Sequence, residues 1–194
     1  MNGSPILVIS GTNRPNSNTL KLAKVIVGHY ARLNVPAELY SLCDLPPELF
    51  DPAAYIAKPP AFVAVQERVV AAPGLHVVTP EYNGSFPGAL KYFIDMLKFP
   101  ESFQHKPVAF VGAASGMFGA LRPVEHLMGV FSYRNAHLYP DRVFVSGVGK
   151  KFDETGRLND EAIDQRLAVQ AEGFAAFIGK LSNSVATPAG VART

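Results

Sequence analysis

The sequence has a single cysteine, Cys43, and no tryptophan in its 194 residues. One cysteine excludes a disulfide within the chain and zinc sites built from several cysteines. No arginine follows Cys43 at the spacing of a phosphatase loop, so we interpret this thiol as structural or incidental. The histidines lack the paired spacing of metal ligands. We expect packing or surface roles for His29, His76, His105, His126 and His137.

Neither charge nor hydrophobicity is concentrated in one part of the chain. The 18 basic and 16 acidic residues give a net charge of +2 without any Lys/Arg run, which argues against a nucleic-acid partner. The first apolar run, Ile6 to Ile9, is too short for a signal-peptide core or a membrane span. We therefore expect a cytoplasmic protein with no membrane partner, folded as one domain over residues 1–194.

Short apolar runs alternate with amphipathic stretches along the chain. The apolar runs predict strands at 6–9, 37–42, 75–79, 107–112 and 142–146. The amphipathic stretches predict helices at 18–33, 62–72, 88–99, 118–131 and 159–181. Strands that alternate with helices predict an α/β fold with a mostly parallel sheet between helices on both faces.

Three segments fall outside this alternation. Residues 45–60 hold five prolines among apolar side chains, which predicts an irregular but ordered surface loop or interface arm. We interpret Gly147 to Gly149, after the fifth strand, as a turn. Residues 182–194 are small and polar, and we expect them to fray.

Polar side chains dominate the loop from Ser10 to Thr19, after the first strand. Its hydroxyl and amide groups can donate to phosphate oxygens, Arg14 is its only charge, and the next helix adds free backbone N–H groups. The loop lacks both the Walker pattern and G-x-G-x-x-G, which favours one phosphate over a triphosphate or a dinucleotide. A polar loop that only caps a helix is the alternative.

Two further loops follow the third and fourth strands. The segment from Thr79 to Gly88 contains two glycines and two prolines, which fix a turned backbone that can face a flat heterocycle, with Tyr82 as an aromatic wall. The alternative is a structural turn with an exposed tyrosine. Small residues from Ala113 to Ala120 leave space beside the sheet. In parallel sheets ligands bind beyond the carboxyl ends of strands, where all three loops lie.

The first of these loops resembles the phosphate loop of the NAD(P)H-dependent FMN reductase family, which includes quinone, chromate and azo-compound reductases. The family pattern is a Ser or Thr, an Arg two residues on, and a Ser three further. Thr12, Arg14 and Ser17 match it.

The other two loops extend the resemblance, which covers roughly residues 6 to 146. Residues 80–85, which run into Pro87-Gly88-Ala89-Leu90-Lys91, are similar to the family's flavin-ring loop nearly residue for residue. Ser115-Gly116 resembles the third loop. The resemblance implies a flavodoxin-like three-layer sandwich with a five-stranded parallel sheet in the order 2-1-3-4-5.

By position, the resemblance implies a non-covalent FMN site. The phosphate-loop residues that it implies are Thr12, Arg14, Asn16, Ser17, Asn18 and Thr19. The ring-loop residues are Pro80, Glu81, Tyr82, Asn83, Gly84 and Ser85, with Ser115 and Gly116 on the far side of the ring. The resemblance also implies a homodimer or homotetramer with flavin sites near a subunit interface, for which residues 45–60 and the helix from Gly88 are candidates.

The leading hypothesis is an oxidoreductase that works in two steps. NADPH or NADH reduces the flavin, and a small acceptor such as a quinone, azo compound, chromate or free flavin is reduced in turn. The flavin carries the chemistry, so no catalytic side chain is predicted. The alternatives are a flavodoxin-type electron carrier, a binding module without turnover, and an enzyme for which free FMN is the substrate.

Overall fold

The computed structural model describes residues 3–185, with side chains described as far as residue 182. The strands are β1 (Ile6–Ser10), β2 (Ala37–Ser41), β3 (Leu75–Pro80), β4 (Pro107–Ala113), β5 (His137–Leu138) and β6 (Val143–Val145). The helices are α1 (Asn18–Arg32), α2 (Pro60–Ala71), α3 (Gly88–Met96), α4 (Leu121–Tyr133) and α5 (Glu161–Val185). Four short 3₁₀ turns lie at Leu42–Asp44, Pro47–Phe50, Pro52–Tyr55 and Val148–Lys150.

The strands form one parallel sheet in the order β2-β1-β3-β4-β5, and β6 also pairs with β4. The predicted order is therefore confirmed. The fifth strand position differs from the prediction because β5 and β6 share it, pairing with the beginning and the end of β4. Pro140 lies between them, and a proline has no N–H to donate to a sheet ladder.

Alternate residues of the strands face opposite layers of helices. Leu7 and Ile9 pack in the cluster that contains side chains of α2, α3 and α4. Ile6 and Val8 pack in the second cluster, with side chains of α1 and α5. Both faces of the sheet are therefore buried, as the continuous apolar runs predicted.

Helix ends differ from the predictions by a few residues. Helix α4 begins at Leu121 rather than 118, which places Pro123 in its first turn, where a missing N–H costs no helical hydrogen bond. Helix α3 ends at Met96 rather than 99. Helix α5 runs to Val185, four residues into the segment expected to fray, and residues 186–194 lie outside the described residues.

The segment 45–60 is ordered, as expected, and contains two of the 3₁₀ turns. Its Phe50 ring stacks on Tyr92 of α3 with centroids 5.0 Å apart. The Tyr92 hydroxyl donates to the carbonyl of Leu49 at 2.7 Å. This segment is therefore held against α3 while Phe50 stays half exposed.

A buried polar network links the sheet to α1 and α5. The Gln170 side-chain amide donates to the carbonyls of Phe110 (2.9 Å) and Asp141 (2.8 Å), so its Oε1 accepts from His76 Nε2 at 3.2 Å. His76 Nδ1 then accepts from the Tyr30 hydroxyl at 2.8 Å. Burial lowers the pKa of His76 to about 4, so the ring is neutral at neutral pH.

None of the helices within residues 3–185 has the length and apolar character needed to cross a membrane.

Candidate functional site

The three polar loops meet in one cavity of about 660 Å³ beyond the carboxyl ends of β1, β3 and β4, which we term the strand-end cavity. It is lined by Arg14, Pro15, Asn16, Ser17, Asn18, Thr19, Pro80, Glu81, Tyr82, Ala113, Ala114, Ser115 and Val148. The volume lies in the range of small-molecule sites. Strand order reverses between β1 and β3, so the cavity is at the position where ligands bind in open α/β sheets.

Helix α1 begins at the cavity wall, which brings its free N–H groups to the site. Ser17 is the N-cap and its Oγ accepts from the Leu20 N–H at 3.1 Å. Asn16, just before it, has a left-handed φ of 53°, a conformation that asparagine tolerates better than most residues. The positive end of a 15-residue helix and the exposed Arg14 therefore face the same space.

Thr12 is the one predicted phosphate-loop residue that does not line the strand-end cavity. Its side chain is fully buried, and its hydroxyl lies 2.9 Å from the Tyr82 hydroxyl. The same oxygen accepts from the Arg14 N–H at 3.2 Å. Thr12 therefore joins the phosphate loop to the ring loop.

The ring loop turns back on itself directly after the cavity. Tyr82 and Ser85 exchange backbone hydrogen bonds of 2.8 and 3.1 Å. Asn83 and Gly84 between them both have positive φ, 53° and 78°, as in the mirror-image turns that Asn-Gly favours. Pro80, Glu81 and Tyr82 thus line the cavity, whereas Asn83, Gly84 and Ser85 lie in the turn outside it.

Two side chains of α4 contact this loop from the other side. His126 Nδ1 lies 2.8 Å from Ser85 Oγ. Arg122 approaches the Glu81 carboxylate at 4.0 Å, with both groups partly in solvent. The predicted packing or surface role fits His126, because this side chain contacts the ring loop and does not line the cavity.

The third loop contributes Ser115 to the cavity, together with Ala113 and Ala114, but not Gly116. Two glycines let this loop pack closely. A Cβ on Gly112 would lie 2.5 Å from the Gly119 carbonyl oxygen. Gly119 has a φ of +56°, and a Cβ at this position would lie 2.9 Å from the backbone carbonyl carbon of Phe144.

Sequence reasoning missed Val148, which lies in the Gly147–Gly149 segment. That segment is a turn, as predicted, but Val148 also lines the strand-end cavity and its N–H donates to the Ala114 carbonyl at 3.0 Å. Its position after a parallel strand was the available signal, since loops at that edge of the sheet converge.

Comparisons with known proteins identify the family of the chain. The model of the NADPH-dependent FMN reductase family matches residues 4–150. An NAD(P)H-dependent FMN reductase of Pseudomonas aeruginosa is 31% identical over 180 residues, which are 91% of this chain and 96% of that protein. A subunit of an NADH:(hydroxy)cinnamate reductase of Vibrio ruber is 30% identical over 89% of this chain and 84% of its own length.

The fold has close structural counterparts as well. The structure of a flavoenzyme NAD(P)H:(acceptor) oxidoreductase from Paracoccus denitrificans superposes with a TM-score of 0.76 at 23% identity, covering 91% of this chain and 98% of the other. The architecture is therefore flavodoxin-like, as the resemblance implied.

The chain belongs to the NADPH-dependent FMN reductase family. It is accordingly an oxidoreductase with FMN as cofactor and NAD(P)H as electron donor.

The residues of the strand-end cavity fit FMN. One guanidinium, hydroxyls and amides at a helix N-terminus suit a single phosphate. The turned backbone from Pro80 to Tyr82 offers polar groups and one aromatic side chain to a flat ring.

Proposed function

We propose that this protein passes electrons from NADPH or NADH, through FMN in the strand-end cavity, to a small acceptor such as a quinone, azo compound, chromate or free flavin. The observation that carries the proposal is the convergence of the phosphate loop and the ring loop on one cavity. The near-neutral charge disfavours the alternative of a flavodoxin-type carrier, because an acidic surface is the usual means of docking to basic redox partners.

The phosphate loop binds the FMN phosphate at the start of α1. Arg14 contributes a charge-assisted contact, and Ser17, Asn18 and Thr19 contribute hydroxyl, amide and backbone donors. Asn16 shapes the backbone at this point through its left-handed conformation. Thr12 acts indirectly, by holding Tyr82.

The ring loop and the third loop orient the isoalloxazine. Pro80, Glu81 and Tyr82 form one wall, and Ala114 and Ser115 form another. The turn formed by Asn83, Gly84 and Ser85 keeps the first wall in shape. Gly116 follows Ser115 in the third loop but does not line the strand-end cavity. When bound, FMN supplies the capacity to accept a hydride and to pass on one or two electrons. The chain therefore has to bind the flavin, orient its ring and polarise it.

The test is an absorbance spectrum of the purified protein, followed by NADPH and NADH oxidation rates with each acceptor. We expect a flavin spectrum, or one restored by added FMN, and turnover with at least one acceptor. A colourless protein that neither binds added FMN nor oxidises a nicotinamide would contradict the proposal. A semiquinone that persists in a redox titration without nicotinamide turnover would favour the carrier.

The chain acts as one domain, and a homodimer or homotetramer is part of the proposal. Exposed apolar side chains cluster beside α3: Phe50 is 50% exposed, Tyr55 61% and Ile56 94%. Residues 45–60 therefore carry an apolar surface of the kind that marks a protein interface. A cytoplasmic location is also part of the proposal, supported by the shortness of the first apolar run, Ile6 to Ile9.

A further inference from the structure

A second cavity, of about 610 Å³, runs along helix α1 and adjoins the strand-end cavity. We term it the α1 groove. It is lined by Asn16, Ser17, Leu20, Lys21, Lys24, Val25, Gly28, Arg32, Thr155, Gly156, Arg157, Leu158 and Asp164. One wall is therefore α1, and the opposite wall is the turn at residues 155–158 and the start of α5.

The α1 groove and the strand-end cavity share two lining residues, Asn16 and Ser17. The two cavities therefore adjoin at the N-terminus of α1. Lys24 lies seven residues beyond Ser17, which is roughly 10 Å along a helix at its usual rise per residue. That distance suits the second half of a dinucleotide rather than a further atom of FMN.

Positive charge dominates the α1 groove. Its lining contains Lys21, Lys24, Arg32 and Arg157 but only one acid, Asp164. The net charge of the whole chain is only +2, so this is a local concentration.

Within the described residues, some of the basic side chains in the α1 groove have partners, and others are free to bind a ligand. At the far end, His29 Nε2 donates to Asp164 at 2.9 Å and the Arg32 guanidinium donates to His29 Nδ1 at 2.6 Å, so these three residues satisfy one another. Lys21 lies over the Phe152 ring at 5.2 Å. Lys24 has no hydrogen bond or ion pair within the part of the chain that the structure describes.

The wall opposite α1 is held in a defined shape. The Asp153 carboxylate accepts from the backbone N–H groups of Thr155 and Arg157, each at 2.9 Å, and from the Thr155 hydroxyl at 2.7 Å. These hydrogen bonds lower the pKa of Asp153 and keep it ionised, so it offsets part of the Arg157 charge. Phe152 and Leu158 close the turn as a β-bridge.

We infer that the α1 groove binds the phosphorylated adenosine end of a dinucleotide whose reactive ring lies in the strand-end cavity. Lys24 and Arg157 contact its phosphate, and Leu20, Val25 and Leu158 offer apolar surface to its base. The inference rests on the proposed function. Two ligands carry this chemistry, the donor NADPH and the flavin dinucleotide FAD, and the experiment separates them.

The first measurement is calorimetric titration of the FMN-loaded protein with 2′,5′-ADP and with inorganic phosphate. We expect 2′,5′-ADP to bind more tightly than phosphate. Lys24→Gln and Arg157→Gln should each weaken its binding about tenfold, the usual effect of losing one charge-assisted contact. Lys180→Gln, an exposed lysine of α5 that lines neither cavity, is the matched control and should bind 2′,5′-ADP as the unaltered protein does.

The second measurement identifies the ligand. If NADPH is the ligand, the ratio of kcat/KM for NADPH to kcat/KM for NADH falls about tenfold in both groove variants. If FAD is the ligand, the groove variants weaken FAD binding to the apoprotein about tenfold more than FMN binding.

The inference is overturned if both variants bind 2′,5′-ADP and FAD as the unaltered protein does, or if FMN binding weakens to the same extent. Failure of the proposed function has a different signature. A protein without FMN binding or nicotinamide oxidation contradicts the proposed function, whereas titration of that protein with 2′,5′-ADP still decides whether the groove binds nucleotides.

Discussion

At the residue scale, Arg14 is the only charged side chain of the phosphate loop and stands exposed at the rim of the strand-end cavity. In the proposed site, the FMN phosphate takes its single charge-assisted side-chain contact from this guanidinium. Lys91 offers a comparison, because it is also exposed but forms an ion pair with Asp95 at 2.7 Å on the surface of α3.

We therefore expect Arg14→Ala to weaken FMN binding by about 1.5–3 kcal/mol, or roughly ten- to a hundredfold, because a hydrogen bond to a charged group is lost. Lys91→Ala should leave FMN affinity within about twofold, since an exposed ion pair contributes little. Fluorescence titration of the apoprotein with FMN measures both. Equal affinities of the two variants would remove Arg14 from the phosphate site.

Thr12 and Tyr82 act as a pair, since their hydroxyls lie 2.9 Å apart although the residues are 70 positions apart in the chain. Thr12→Val and Tyr82→Phe should each weaken FMN binding, and the double variant should lose less than the sum, with a coupling of about 1 kcal/mol. Titration of the unaltered protein, the two single variants and the double variant with FMN gives a double-mutant cycle that measures this coupling. Strict additivity would show that the two loops are independent.

At the element scale, the network through His76 holds α1, β3, β4 and α5 together in the layer that supports the phosphate loop. The ring is fully buried and is neutral in the folded protein, with a pKa of about 4 against 6.5 for a free histidine. Between those two values the unfolded chain binds a proton that the folded chain does not.

Stability should therefore be complete above pH 6.5 and fall as the pH is lowered to about 4, by up to about 3 kcal/mol from this residue alone. His76→Gln removes the titrating group while keeping polar atoms. Urea unfolding of both proteins at a series of pH values tests this: the variant should be less stable at pH 7 but show a smaller decline toward pH 4. If the stability of the two proteins declined equally between pH 7 and pH 4, His76 would not be the source of the pH dependence.

Much of the element order could be read from the sequence, because continuous apolar runs and amphipathic periods are local signals. The division of the last strand position into β5 and β6 was not predictable, since a two-residue strand is defined by its pairing with β4 rather than by its own residues. Val148 differs from β5, because its position after a parallel strand was a signal that the sequence offered, although its exact place at the cavity depends on where β6 ends. Thr12 fits the phosphate-loop pattern, but only the tertiary structure shows its partner.

At the scale of the whole molecule, the exposed apolar side chains near α3 are the candidate for the proposed subunit interface. The Tyr55 ring packs edge-on to Tyr92 with centroids 6.2 Å apart, and Ile56 beside it is almost fully exposed. This cluster protrudes from an ordered segment, so its position is fixed before any partner arrives.

If this cluster is the subunit interface, Ile56→Asp should shift the protein from dimer or tetramer toward monomer, because an interfacial charge would be buried without a partner. Size-exclusion chromatography with light scattering at one protein concentration measures the mass. Val169→Asp places the same charge on an exposed apolar position of α5 and should leave the mass unchanged. An unchanged mass in both variants, or a monomer without any substitution, would place the interface elsewhere or remove it.

The Asn83-Gly84 turn has a consequence for the rate at which the cofactor is acquired. Both residues occupy left-handed conformations that their own chemistry permits, and the hydrogen bonds between Tyr82 and Ser85 close the turn without help from a ligand. In the proposed site, hydrogen bonds of the chain itself therefore keep the wall that faces the isoalloxazine in shape. We therefore expect association with FMN to need no prior folding of this loop, so that flavin uptake by the apoprotein proceeds in a single kinetic phase whose rate rises linearly with FMN concentration.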